Sequence, residues 1–397
     1  MRRLDIVPFN RPHVVGREFD YMQEAVEGLH LSGAGPFTKR CERRLGELTG
    51  AGATLLTHSC TAALEMVALL LEIQPGDEVV LPSFTFSSSA NAFALRGANL
   101  VFVDVRPDTL NVDEEQLELA VGPKTKAIVA VHYAGVPCEM DELRSIADAA
   151  GAFLVEDAAQ ALMSTYRGRP LGAIGDLGAV SFHETKNVIS GEGGALLVPE
   201  GTPWLERAEI IREKGTDRSK FFRGEVDRYS WIDIGSSYIP SELNAAFLWA
   251  QLEAAEAILE ERLRTWRTYH EAFAELEQRG LVRRPIVPTH CTHNAHLYYL
   301  LVEETTVAST LELLRLNGVS AVSHYVPLHT SRAGLRHGRA VGDLPHTLRA
   351  SESLIRLPLW VGMDAATIER VVDAVYVVLA APRVAAGSAR SRRGSQA

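Results

Sequence analysis

The sequence predicts an α/β fold, a mostly parallel seven-stranded sheet with helices on both faces, followed by a smaller C-terminal α+β domain. Three observations predict it. Seven short apolar runs recur through the first half: ATLLT (53–57), EVVL (78–81), LVFV (100–103), AIVAVH (127–132), AFLV (152–155), AVSF (179–182) and ALLV (195–198). Most lack polar alternation, as strands covered on both faces do. Helical patterns separate the earlier runs, and such alternation leads to parallel pairing with helical crossovers. After about residue 240 the pattern changes.

The helices are expected at TAALEMVALLLE (61–72), SSANAFALRG (88–97), EEQLELAV (114–121) and MDELRSIADAAG (140–151). The last two strands are joined by a stretch too short for a comfortable helical crossover, so an antiparallel member is expected there. Residues 241–276 read as one long amphipathic helix or two in sequence. Strands follow at LYYLLV (297–302) and VSAVSHYV (319–326), with helices near 306–317 and 365–380. The expected division is a large domain over 1–240, a small one over 241–381, and a disordered basic tail over 382–397.

Bulk properties narrow the function. Of the 397 residues, 46% are apolar and 23% charged, as in ordinary globular proteins. The net charge of −10 is spread out, which argues against a nucleic-acid partner. No apolar run is long enough to span a bilayer, and MRRLDIVPFNRP carries no apolar core behind its arginines. A cytoplasmic protein is therefore expected. Cys41, Cys60, Cys138 and Cys291 are too scattered for a disulfide framework or a zinc ribbon. HNAH (293–296), His324 and His329 lack Cys or acidic partners at helical spacing, so no metal site is expected.

In open α/β sheets ligands bind at the carboxyl ends of the strands. Three stretches fall at that edge. In THSCTAALE (57–65) a strand runs into a helix, and Ser59, Thr61 and free backbone N–H groups there suit a phosphate, or serve as a plain helix cap. In FLVEDAAQAL (153–162) a carboxylate directly follows a buried strand, which is costly without a partner. Asp157 can pair with an arginine, cap a helix, or keep a heterocyclic nitrogen protonated. In SFHETKNVISGEGGALL (181–197) a lysine lies among small residues, and EGG (192–194) lets other groups approach the backbone. A lone lysine is usually a solvated surface group, whereas a desolvated one becomes a nucleophile and base. Taken together, a phosphate cradle, an acid for a ring nitrogen and a buried lysine are the parts that bind pyridoxal phosphate as a Schiff base.

SFHETKN with GEGGA, VEDAAQ and SCTAALE closely resemble the DegT/DnrJ/EryC1/StrS sugar aminotransferases. The likeness runs from VPFNRP (7–12) to about residue 380, through HLSGAGPFTKRCE (30–42), IQPGDEVVLPSFTFSSSANAF (73–93), VDVRPDTLNVDE (103–114) and VHYAGVPCEMDEL (131–143). The resemblance implies a fold-type I, aspartate aminotransferase-like enzyme dependent on pyridoxal 5'-phosphate. It implies Lys186 as the Schiff-base residue, Asp157 at the pyridinium nitrogen and Gln160 near the ring hydroxyl. Thr61, Cys60 beside it, Ala62 through its backbone, and Ser181 would surround the phosphate. Phe86 would stack on the pyridine ring.

FFRGEVDRYSWIDIGSSY (221–238), REKGTDRS (212–219) and LRLNGVSAVSHYVPLH (314–329) are most similar to the dTDP-4-amino-4,6-dideoxygalactose transaminases within that family. The implied reaction moves an amino group, with L-glutamate as donor, to C4 of dTDP-4-dehydro-6-deoxy-D-glucose in deoxysugar biosynthesis. Ser237-Tyr238-Ile239 stands where many members carry Asn-Tyr-Arg, whose asparagine reaches the cofactor phosphate across a homodimer interface. A dimer with a shared active site is expected, with Ser237 in that place. Two other readings compete. A sugar dehydratase of this fold would carry histidine in place of Lys186. A cofactor-sensing regulator would need a DNA-binding helical module, which the pattern does not suggest. His183 has no assigned role.

Overall fold

The computed structural model describes residues 6–303 and 306–380; the expected tail over 382–397 lies outside the described residues. The seven expected strands form one sheet: β1 (Ala53–Thr57), β2 (Glu78–Pro82), β3 (Asn99–Val103), β4 (Thr125–Val131), β5 (Phe153–Asp157), β6 (Leu177–Ser181) and β7 (Gly194–Val198). Their spatial order is β1-β7-β6-β5-β4-β2-β3, and an eighth, short strand at Gly338–Ala340 adds to the β3 edge. That strand has no long apolar run to announce it. The pairs β2/β3, β2/β4, β4/β5 and β5/β6 are parallel. β7 runs antiparallel to both β1 and β6, as the short join predicts.

The missing alternation has a direct cause, because successive residues point to opposite faces and both faces are covered. Val80, Val101, Ile128, Ala130, Leu154 and Val180 enter one core. Val79, Leu81, Leu100, Phe102, Val129 and Val155 enter the other. Each buried valine or leucine contributes about 1.5–3 kcal/mol, which outweighs the modest helix and strand propensities. Helix Cys60–Leu70 is buried over most of its circumference in the second core. Its apolar run therefore reads as core on nearly every side, and only its N-terminus points to a site.

Residues 241–276 form helices Glu242–Glu253, Ala255–Ala272 and the start of Ala274–Gln278. The first packs on Glu18–Glu27 and Pro36–Thr49 and joins the first sheet core. The second helps enclose a separate core that contains Trp266, Tyr269, Phe273, Leu300, Ile355 and Val371. A three-stranded antiparallel sheet crosses that core, with Leu354–Leu357 between Tyr298–Leu301 and Val322–Ser323. Helices Val307–Leu316 and Ala365–Leu379 pack beside it. Among the described residues, no helix is long and apolar enough to cross a membrane.

Candidate active site

The carboxyl ends of β1, β2, β5 and β6 open into a cavity of about 620 Å³. Ser59, Cys60 and Thr61 line it where helix Cys60–Leu70 begins; Asp157, Gln160, Ser181 and Lys186 line it from β5 and β6. The opposite wall comes from the C-terminal part: Arg262, His296, His324, Tyr325 and Arg356, with Phe9 and Asn10 from the N-terminal segment. The three stretches singled out in the sequence thus meet at one sheet edge.

Asp157 ends β5 and is 5% exposed. Its Oδ2 accepts a hydrogen bond from Ser89 Oγ at 2.6 Å, and its Oδ1 accepts from the Ala159 N–H at 3.1 Å. Ser89 is itself held by Thr85 at 2.9 Å. These donors are neutral, and no cation pairs with Asp157 at ion-pair distance among the described residues. A buried carboxylate so placed suits a protonated ring nitrogen in the cavity. The neighbouring Glu156 points to the other face of β5, as strand geometry requires. It accepts hydrogen bonds from the N–H groups of Gly172, Ile174 and Gly175, and pairs with His132 Nε2 at 3.0 Å. Burial pushes its carboxyl upward, but His132 and these N–H groups win and hold it below the usual carboxylate range. That buried pair anchors the strand end from which Asp157 projects.

Lys186 sits in the loop between β6 and β7. Backbone bonds from Phe182 N–H to Gly193 O (2.9 Å) and from Glu184 N–H to Gly191 O (2.9 Å) close this loop on itself. Gly194 is required here, because a Cβ would overlap the backbone of Ser59 and Cys60. β7 can therefore pass directly against the start of the cavity-facing helix. Asn187 ties the loop to the opposite wall: its Nδ2 donates to Asn294 O at 2.7 Å, and its Oδ1 lies 3.1 Å from His296 Nδ1. Burial, with the charges of Lys186 and Arg262, holds His296 well below the usual histidine value, so the ring is neutral. Burial also lowers the Lys186 amine; the Cys60 thiol and Asp157 offset this in part, and the Arg356 charge adds to it. The result is an amine that loses its proton more readily than a surface lysine.

At the other end, Ser59 Oγ accepts the Ala62 N–H at 3.0 Å as a helix cap. In the ligand-free chain the Ala62 N–H is taken by this cap, and Ala62 is not among the residues that line the cavity. Thr61 Oγ1 and Ser88 Oγ are 2.8 Å apart, so two helix starts present hydroxyls side by side. Ser181 lines the cavity nearby. Phe86 also lines it and is 59% exposed. Gln160 faces the cavity with both amide atoms engaged: Oε1 accepts from the Ala134 N–H at 2.8 Å, and Nε2 donates to Tyr325 Oη at 3.1 Å. Ser237 is exposed, outside the cavity lining, in an isolated bridge with Glu213. His183 lines the cavity with its Nδ1 2.9 Å from Thr185 Oγ1.

Sequence reading missed Ser89, Thr85, Tyr325, Arg356 and Phe9, and weighed His296 and His324 only as metal ligands. The serine run of SFTFSSSANAF, directly after a strand that ends at this same edge, carried the signal for Ser88 and Ser89.

A buried carboxylate with only neutral partners, an acidified lysine and paired hydroxyls at a helix start fit pyridoxal phosphate at its nitrogen, aldehyde and phosphate respectively. Fold and site together define a fold-type I pyridoxal-phosphate enzyme. Residues 13–376 match the model of the DegT/DnrJ/EryC1/StrS aminotransferase family, and the chain belongs to that family. It is accordingly a pyridoxal-phosphate-dependent sugar aminotransferase. It is 31% identical to the spore coat polysaccharide biosynthesis protein SpsC of Bacillus subtilis, over 94% of this chain and 97% of that one. Among solved structures it resembles the aminotransferase TlmJ from Streptoalloteichus hindustanus (31% identity, TM-score 0.87, 95% of this chain and 99% of that one). It also resembles the PLP form of the putative sugar aminotransferase Spr1654 from Streptococcus pneumoniae (26%, 0.86, 94% and 99%). A third similar structure is DesI in the presence of its TDP-sugar product (29%, 0.84, 94% and 93%).

Proposed function

We propose that the protein transfers the amino group of L-glutamate to C4 of dTDP-4-dehydro-6-deoxy-D-glucose, giving a dTDP-4-amino-4,6-dideoxyhexose and 2-oxoglutarate. The observation that carries the reaction type is the meeting of Lys186, Asp157 and the Thr61–Ser88 hydroxyls in one cavity. The substrate reading rests on the similarity of residues 212–238 and 314–329 to C4 transaminases, and on the likeness to DesI, a protein with a TDP-sugar product.

When bound, pyridoxal phosphate supplies an aldehyde that accepts the amino group and a ring that holds the released electron pair. Asp157 keeps a positive charge on the ring nitrogen, and Ser89 holds the carboxylate in place. The Lys186 amine would hold the cofactor's aldehyde and, when free, would take a proton at the donor α-carbon and give one at C4 of the sugar. Thr61 and Ser181 hold the phosphate with Cys60 beside them. Gln160 would fix the wall on the side of the ring hydroxyl, and Phe86 would pack against the ring. Two copies of the chain form a homodimer in which Ser237 of each protomer approaches the other's cofactor phosphate. Phe222, Trp231, Ile232 and Ile234, all exposed in the single chain, supply apolar surface in the same segment.

Incubating the holoenzyme with the dTDP-keto sugar and L-glutamate tests this reading. The expected outcome is stoichiometric 2-oxoglutarate and a 4-amino sugar, whose ring coupling constants in NMR assign galacto or gluco configuration. Turnover of a 3-keto sugar, or of a keto sugar on another nucleotide in preference, would replace the proposed substrate.

A further inference from the structure

We propose that a second cavity, between the loop after β3 and the C-terminal part, binds a small organic oxyanion, a carboxylate or a phosphate ester, through Arg283. This cavity shares no lining residue with the one that holds Lys186, and the proposal does not depend on which sugar the enzyme takes.

The cavity measures about 650 Å³, within the range of small-molecule sites. Pro107 and Leu110 line it from the loop after β3, and Leu281, Val282 and Leu301 add apolar surface from the C-terminal part. Its ionisable lining residues are Arg283, Glu303, His346 and Arg349. The backbone of Arg283 is bonded to Leu301 in both directions, each at 2.9 Å. On one side of it Val282 enters the C-terminal core. On the other, Arg284 is fully engaged: its Nε and Nη2 hold Glu277, each at 2.7 Å, and its Nη1 donates to the His270 carbonyl. Arg283, between them, turns the opposite way, toward the Pro107 carbonyl that accepts from its Nη1. Its other two nitrogens, Nε and Nη2, are shielded from bulk water and have no hydrogen-bond partner. No carboxylate pairs with it among the described residues.

Those two nitrogens form the guanidinium edge that grips an oxyanion. Arg106 turns the same edge on Asp108, with Nε at 3.0 Å and Nη2 at 2.9 Å. Arg315 does so on Glu312, at 2.9 and 2.8 Å. Each makes two parallel N–H···O bonds, an arrangement that carboxylate and phosphate both accept. In Arg283 the edge is formed and unmet, which is costly away from water unless a partner arrives. Asp108 stands close enough for its charge, like that of Arg283, to be felt at Tyr299, but Arg106 takes both its oxygens. With two arginines against one glutamate, the lining is net positive. Its apolar walls and its volume suit an oxyanion head on an apolar body rather than a bare ion.

The test is calorimetry on the holoenzyme with benzoate and with phenyl phosphate, and with benzyl alcohol as the neutral analogue. The cofactor's absorbance is recorded alongside, because a probe that enters the Lys186 cavity shifts it. At least one of the two anions should bind, one molecule per chain, without that shift, and benzyl alcohol should not. Which anion binds tighter assigns the head as carboxylate or phosphate ester. Arg283→Met should weaken this binding by about tenfold or more, and Arg283→Lys should recover only part of it, because an ammonium cannot make two parallel bonds. The half-reaction with L-glutamate should stay within about twofold in both variants, since the two cavities share no residue. Crystals soaked in the tighter probe should show its oxyanion against Nε and Nη2. If neither anion binds without the absorbance shift, or if such binding is unchanged in Arg283→Met, the proposal is overturned. Should Arg283→Met fail to fold, judged by its melting curve, Arg283→Gln and Arg283→Lys give the same readouts.

Discussion

Asp157 and Lys186 could be found from the sequence because each breaks a local expectation, an acid after a buried strand and a lysine among glycines. Their partners were harder to find: the serine run after β2 marked the right sheet edge but not which serine reaches Asp157, and an arginine in a strand violates nothing. Asp157→Asn should raise the dissociation constant for pyridoxal phosphate and slow turnover strongly, since the ring nitrogen loses its charged partner. Ser89→Ala should weaken cofactor retention several-fold, less than Asp157→Asn, because one neutral donor is lost rather than the charge. Fluorescence titration of the apoenzyme would rank the two; a Ser89 effect equal to the Asp157 effect would refute the assigned order. Borohydride reduction of the holoenzyme should fix the cofactor to the peptide carrying Lys186, and label on another lysine would remove it from the site. With its amine lowered by burial, the alkaline change in reactivity of Lys186 in the apoenzyme should come at a pH below the usual lysine value. Competitive labelling across pH measures that position directly.

At the scale of the element, β5 shows how a strand serves stability and chemistry at once. Glu156 and Asp157 are adjacent in sequence and point to opposite faces, so one fastens the strand end while the other serves the cavity. Removing one partner of a buried pair leaves the other uncompensated, and Glu156→Gln should cost about 3–5 kcal/mol in denaturant unfolding. The pH sign follows from the depressed Glu156 carboxyl. Its contribution is complete above the unfolded carboxylate value and is lost as pH falls through the lower folded value. The variant's acid limb should therefore be shallower than the wild type's in melting curves taken at successive pH values. β7 offers a parallel lesson. Its antiparallel direction was legible in the short join from β6, because a helical crossover needs more chain than that. That Gly194 passes against the Cys60 backbone was not, because closeness in space leaves no mark on spacing.

For the whole molecule, the exposed apolar segment around residues 221–238 marks where a second copy is proposed to dock. Trp231 is 78% exposed in the single chain, an unusual state for tryptophan. Trp231→Glu should shift the mass measured by light scattering from dimer toward monomer and weaken cofactor retention together; an unchanged dimer would place the interface elsewhere. Helices Glu18–Glu27 and Pro36–Thr49 were not read from the sequence. Apolar runs were enough to mark the seven sheet strands and the helices between the earlier ones, and the short join after β6 marked the antiparallel β7. Those features depend on burial, which local pattern records directly. Partnerships between distant segments depend on packing, which local pattern does not record. Residues 241–276 read as one long helix or two in sequence, and the first of the helices formed, Glu242–Glu253, packs on the first two helices of the chain. The Gly338–Ala340 strand completes a sheet built by residues more than a hundred positions earlier. Arg356 lines the cavity that holds Lys186 only because folding lays the strand Leu354–Leu357 across from it, and nothing in the local pattern records that placement.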